Sequence, residues 1–161
     1  MDKKQFISYV EGTQKSLRRF LIALCNGNSD LADDIAQETY LKAYLSFENF
    51  KKEDKFKSWI FKIAYNNFLN FSKSLKSTIS VDNLKEVSTS ETPESNYRYQ
   101  LLYLALDLLS EKERSIILLY YMEGYSSKEI AEIFEITDES VRKILSRGRE
   151  HLKEKIVKNH Y

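Results

Sequence analysis

Residues 126–149, SSKEIAEIFEITDESVRKILSRGR, constrain the fold more than any other stretch. Two short helical patterns separated by a tight turn bury their apolar faces by crossing steeply against each other. Ile130, Phe134, Ile136, Val141, Ile144 and Leu145 are spaced to hold such a pair together, and Ala131 is small enough for a close crossing. The second helix then carries Ser140, Arg142, Lys143, Ser146, Arg147 and Arg149, with Lys143, Ser146 and Arg147 turned away from Val141 and Leu145. This is the pattern of a helix-turn-helix whose second helix enters the DNA major groove. Arg and Lys bond guanine edges there, and Ser reaches bases or phosphate. A basic helix on its own is ordinarily just a solvated helix; the helix and turn before it favour the DNA reading. Glu135 stands in the turn where many such motifs have glycine, so a positive φ there implies mild strain.

The rest of the chain is also helical in pattern. Only four glycines and one proline interrupt 161 residues, and hydrophobic residues make up 42%, which supports packed helices rather than a strand-and-turn fold. Phe6, Val10, Thr13, Leu17, Phe20 or Leu21, and Leu24 mark one face of a helix over about 3–24. Ser29 or Asp30 is expected to cap a second helix over about 30–47, with Leu31, Ile35, Thr39, Ala43 and Phe47 on its stripe. After a polar connection, 48–55, a third helix over about 56–75 has Phe56, Ile60, Ile63, Phe68, Phe71 and Leu75 as core positions. Of residues 77–96, eight are Ser or Thr and four are acidic, and Pro93 is the only proline, so this segment reads as a linker.

The expected fold is therefore all-α, with two small helical domains at 1–76 and 97–161 joined by a flexible linker at 77–96. In the second domain a leucine-rich helix over 101–109 is followed by one over about 111–123, capped by Ser110 with Glu113 in a capping box and ended by Gly124. The last two helices are expected over about 126–134 and 138–157, with Asp138 as N-cap.

The net charge of +1 argues against tight non-specific DNA binding by the isolated protein. Its distribution is more telling: residues 27–48 carry a net −4, whereas 51–76 and 142–158 each carry +5. Cys25 stands alone, which excludes a disulfide framework and fits a small buried thiol. There is no run of about 18 apolar residues and no apolar leader, so the expectation is a cytoplasmic protein without membrane insertion. His151 and His160 are the only histidines, and no Ser/His/Asp set, phosphate loop or metal spacing is present; an enzyme is not expected, nor a cofactor.

DDIAQETYLKAY (33–44) followed by FKSWIFKIAYNNFLNFSK (56–73) resembles the first conserved domain of extracytoplasmic-function (ECF) sigma factors, and the helix-turn-helix resembles their C-terminal domain. The resemblance implies a specificity subunit of RNA polymerase. It implies that Asp34, Gln37, Glu38, Tyr40 and Leu41 dock on the clamp helices of the largest core subunit. It implies contact with the flap of the second-largest subunit, and a possible anti-sigma factor as a further partner. It also assigns opening of the −10 element to loop 48–55 and the helix after it. Catching an unstacked base there calls for aromatic faces beside cations; the candidates are Asn49, Phe50, Lys51, Phe56, Lys57, Trp59, Lys62 and Asn66, although Phe56 and Trp59 also read as core aromatics. Arg142, Lys143, Ser146 and Arg147 match the −35 reading positions. Two departures stand out: Tyr65-Asn66-Asn67 replaces a commoner Ala-Arg-Asn-like run, and Ile144 stands where a basic residue is frequent.

Two other readings share some of these features. A helix-turn-helix regulator using 1–76 for dimerisation or sensing would bind an operator without polymerase. A pure polymerase-binding inhibitor would share the acidic helix but leave the basic recognition helix unexplained.

Overall fold

The computed structural model describes residues 1–78 and 102–160, which form seven α-helices and two short 3-10 turns. The helices are α1 (Lys3–Leu24), α2 (Ser29–Ser46), α3 (Phe56–Thr78), α4 (102–107), α5 (Glu111–Tyr121), α6 (Ser127–Phe134) and α7 (Asp138–His160). The 3-10 turns, Phe47–Asn49 and Glu53–Lys55, lead from α2 into α3. The expected linker lies outside the described residues, apart from its first two positions, which continue α3.

Local chemistry sets the helix ends. Asp2 and Gln5 form a capping box at α1, as do Ser126 and Glu129 at α6. Two caps fall one residue earlier than expected. Asn28, not Ser29 or Asp30, caps α2 by accepting from the Leu31 N–H at 3.1 Å. Thr137, not Asp138, caps α7 by accepting from the Ser140 N–H at 3.1 Å. Asp138 instead pairs with Arg142 one turn later, at 3.4 Å. Ser110 does cap α5, through the Glu113 N–H at 3.1 Å, but only the Ser110 half of the expected capping box forms. Gly124 takes φ +73 just beyond α5, a conformation that only glycine adopts freely.

The first three helices pack around Leu17, Phe20, Leu21, Ile35, Phe56, Ile60 and Phe61, each at most 1% exposed. α2 and α3 are also joined by a polar relay that runs inward from the exposed Lys42. Lys42 Nζ donates to Asn67 Oδ1 at 2.6 Å, Asn67 Nδ2 donates to Thr39 Oγ1 at 3.1 Å, and the Thr39 hydroxyl donates to the Ile35 carbonyl at 2.7 Å. Asn67 is 1% exposed and Thr39 fully buried, so a closed chain of donors replaces the water they lose. Asn67 is thus a framework residue.

The second half builds on Ile116, Leu119, Ile130, Val141 and Leu145. Its core is continuous with that of the first half. Phe61 on α3 meets Tyr125 edge-on with ring centroids 5.4 Å apart, Tyr65 meets Phe134 at 4.6 Å, and the Arg114 guanidinium lies 5.6 Å from the centre of the Phe68 ring. Arg19 on α1 forms a two-pronged bond to Glu123, 2.9 Å on each arm. The sequence reading contained no such packing of one half on the other.

Candidate nucleic-acid interface

On α2, Asp34, Gln37, Glu38 and Leu41 share an outward edge at three- and four-residue spacing. Asp34 and Gln37 are exposed and Glu38 is half-buried beside Lys42. Leu41 is exposed by 53%, an apolar anchor amid polar groups. The edge continues through Tyr44 and Leu45, which sequence reasoning missed; Leu45 is 75% exposed. Their signal was apolar side chains three and four residues beyond Leu41, off the core stripe. Tyr40 faces differently. It is half-buried on the groove between α1 and α2, lined also by Gln14, Arg18 and Asp33, and burial raises its phenol pKa.

Between α2 and α3 the chain gathers aromatics and lysines. Phe50 and Trp59 stack with centroids 4.4 Å apart and planes 10° from parallel, both half-buried. Lys51, Lys57, Asn49 and Asn66 are exposed, and Lys62 is half-buried. Phe56 corrects the expectation. At 1% exposure it lies beneath Tyr9, whose ring stacks on it at 5.0 Å, and against Phe6 and Trp59, so it supports the platform and cannot meet a base. Lys52 and Lys55, absent from the sequence candidates, line an open cleft with Trp59 and Lys62; the lysine run of loop 48–55 was their signal. Glu132 and Glu135 line the opposite side. Lys55 Nζ lies 2.6 Å from both Glu132 oxygens, a bond that raises its pKa, and Lys62 pairs with Glu135.

In the helix-turn-helix, Glu135 adopts the left-handed conformation, φ 56 and ψ 43, as its place in the turn implied. Arg142, Lys143, Ser146 and Arg147 all lie on the exposed edge of α7. Asp138 and Glu139 pair with Arg142 and Lys143, each at 3.4 Å, and hold the two cations over the first turn. These exposed pairs are worth about 0.3–0.5 kcal/mol each, weak enough to exchange for phosphate or base contacts. Ser140 is committed differently, because its hydroxyl accepts from Thr137 in the cap at 2.8 Å. Arg149 is exposed but donates to the Tyr121 hydroxyl on α5 at 2.9 Å, which raises its pKa and braces the helix. Gly148 lets α7 descend onto Ile117 of α5.

Comparison with known families agrees with this geometry. Residues 9–78 match the model "Sigma-70 region 2", and residues 99–152 match "Sigma-70, region 4". The chain is 27% identical over 140 residues to the ECF RNA polymerase sigma factor SigM of Bacillus subtilis, covering 84% of this chain and 85% of that one. It is 28% identical over 170 residues to the ECF RNA polymerase sigma-E factor of Haemophilus influenzae, covering 96% and 89%. In fold it is similar to the sigma factor RpoE of Bartonella quintana, solved in complex with the anti-sigma factor NepR, with a TM-score of 0.77 at 24% identity over 95% of this chain and 97% of that one. A second likeness is to CnrH in complex with the cytosolic domain of CnrY, with a TM-score of 0.72 at 19% identity over 95% and 88%. With a region 2 match followed by a region 4 match across most of its length, the chain belongs to the ECF family of sigma factors.

Proposed function

We propose that this sigma factor binds core RNA polymerase through the outer edge of α2 and directs initiation by reading two promoter elements. Asp34, Gln37, Glu38 and Leu41 dock on the clamp helices of the largest subunit, with Tyr44 and Leu45 extending the contact. The Phe50–Trp59 stack and the surrounding lysines receive the opened −10 strand. Arg142, Lys143, Ser146 and Arg147 read the −35 element in the major groove, while the second half also meets the polymerase flap. The domain boundaries 1–76 and 97–161 belong to this reading. The protein acts in the cytoplasm as a regulator rather than a catalyst, and an anti-sigma factor is a further partner by analogy with RpoE in its complex with NepR. Among the described residues, no helix is long and apolar enough to cross a membrane.

The observation that carries the reading is one chain with two exposed edges of opposite character: acidic and apolar on α2, basic on α7. A regulator acting alone has no use for the first, and an inhibitor has none for the second. The modest net charge fits, because two weak readers mounted on one polymerase gain from effective concentration. Adding the purified protein to core polymerase with a promoter library, and mapping transcript starts, tests this directly. New promoter-specific starts are expected. Operator binding by the free protein without any such starts would overturn the sigma assignment.

A further inference from the structure

α1 holds both ends of the loop that carries Phe50. At its start, Phe47 stacks on Phe6 with centroids 4.8 Å apart and planes 23° from parallel. At its end, Phe56 lies against the ring of Tyr9 at 5.0 Å and 24°. Phe6 also meets Phe56 edge-on at 6.1 Å, so the two ends of the loop close on one pair of α1 rings. Phe56 is thereby the shared floor of two ring groups. Tyr9 lies nearly parallel to it on the α1 side, and Trp59 stands steeply against it, 5.7 Å away at 63°.

A single exposed aromatic is ordinary on a protein surface. Tyr9 differs in how its plane is fixed. One ring face rests on Phe56, which leaves the other for solvent, and the residue is 37% exposed, more open than Phe50 or Trp59. A base stacks on such a free face for about 1–3 kcal/mol, with little regard to its identity. The loop pinned at these two ends supplies the exposed Lys51 and Lys52 for phosphates. Successive phosphates of a stacked strand are about 3.4 Å apart. Two rings that share one floor therefore address bases no more than a few nucleotides from each other.

We propose that the strand platform extends onto α1, with Tyr9 as a second stacking station for the opened −10 strand. The inference rests on the assignment of the Phe50–Trp59 face to that strand. The first station belongs to the loop and α3. The second belongs to α1, a helix that carries none of the residues assigned to either promoter element. Because stacking tolerates every base, Tyr9 adds grip rather than sequence choice. Loss of its ring is felt equally whichever base occupies the station.

Holoenzyme formed from the full chain and core polymerase tests the station, on single strands carrying a −10 element taken from the mapped promoters. 2-Aminopurine replaces each base in turn, and its emission falls where it stacks. Tyr9→Leu keeps an apolar cover over Phe56 but removes the π-face, Tyr9→Phe restores the ring, and Trp59→Leu marks the first station. The expected result is one strand position, distinct from any that responds to Trp59→Leu, whose quenching is lost in Tyr9→Leu and regained in Tyr9→Phe. Strand binding by Tyr9→Leu should weaken about fivefold or more, to the same extent for all four bases at that position. Tyr9→Trp offers a wider face and should deepen the quenching there, a gain that misfolding cannot mimic. A response to Trp59→Leu with none to Tyr9→Leu would overturn the second station and leave the first standing. Responses of both variants at the same positions only would make Tyr9 a prop for Trp59 and overturn the proposal too. No response to either variant would remove the strand from this face altogether, and both assignments with it.

Discussion

Gly148 is where the recognition helix meets the helix beneath it, and a single methyl group tests that contact. A Cβ built on Gly148 overlaps Cδ1 of Ile117 and stands 3.2 Å from its Cγ1. Ile117 is 5% exposed, so its side chain has little room to retreat. Two terms oppose each other in Gly148→Ala. Helix propensity favours alanine by about 1 kcal/mol. Overpacking a filled site costs about 1–3 kcal/mol. The single variant is therefore expected to lie between neutral and about 2 kcal/mol less stable. Ile117→Val removes the overlapping Cδ1 and by itself costs about 0.5–1.5 kcal/mol. Once Cδ1 is gone, Gly148→Ala retains its helical gain without most of the clash. The double variant should then match or exceed the stability of Ile117→Val, with a favourable coupling of about 1–3 kcal/mol. Urea unfolding of the four proteins, followed by circular dichroism, closes the cycle. The same variants on a −35 duplex should show weaker discrimination for Gly148→Ala, restored in the double variant as α7 settles back onto α5. Additivity within about 0.5 kcal/mol would refute the steric reasoning.

Replacing Asn67 with Ala should cost about 1–3 kcal/mol in thermal unfolding, since it leaves the buried Thr39 hydroxyl without its donor and opens a void between α2 and α3; an unchanged melting temperature would deny the relay its role. Burial raises the Tyr125 phenol above its ordinary pKa of 10.0, helped by Glu123 and Glu129. Folding thus favours the protonated form, whose contribution is complete below pH about 10 and is lost as pH rises through the higher folded value. Tyr125→Phe should flatten that alkaline loss in unfolding experiments, and an identical decline would count against it. Changing Asp34 and Gln37 together to Ala should weaken binding to core polymerase about tenfold with the fold intact, as exposed polar contacts at an interface permit; full affinity would displace the docking edge. Arg147→Ala should cost about 1–3 kcal/mol of −35 base discrimination in duplex competition, whereas uniform weakening across all sequences would make it a phosphate contact.

The sequence made most helices legible because their apolar periodicity, their caps and the scarcity of glycine point the same way. Cap identity failed at two places for one reason. Asn28-Ser29-Asp30 and Thr137-Asp138 are runs of cap-competent residues, and propensity does not choose among neighbours when the decision depends on where the chain enters the helix. Phe56 and Trp59 pose the same difficulty in another form. Both are aromatics on one basic helix, and only the approach of Phe6 and Tyr9 from α1 decides that the first is buried. The exposed edge of α7 was readable from periodicity alone. The seam between α3 and α6 was not: its ion pairs join residues 77 and 73 positions apart, beyond any local pattern.

The Phe50–Trp59 stack has a practical consequence. Trp59 is the only tryptophan among 161 residues. The protein therefore carries its own optical probe, placed at the spot where strand entry would be felt. A base that displaces Phe50 or stacks beside it quenches the indole emission. Strand entry can thus be timed in a stopped-flow cuvette on the unmodified chain, so whether it precedes or follows docking on polymerase becomes a kinetic question.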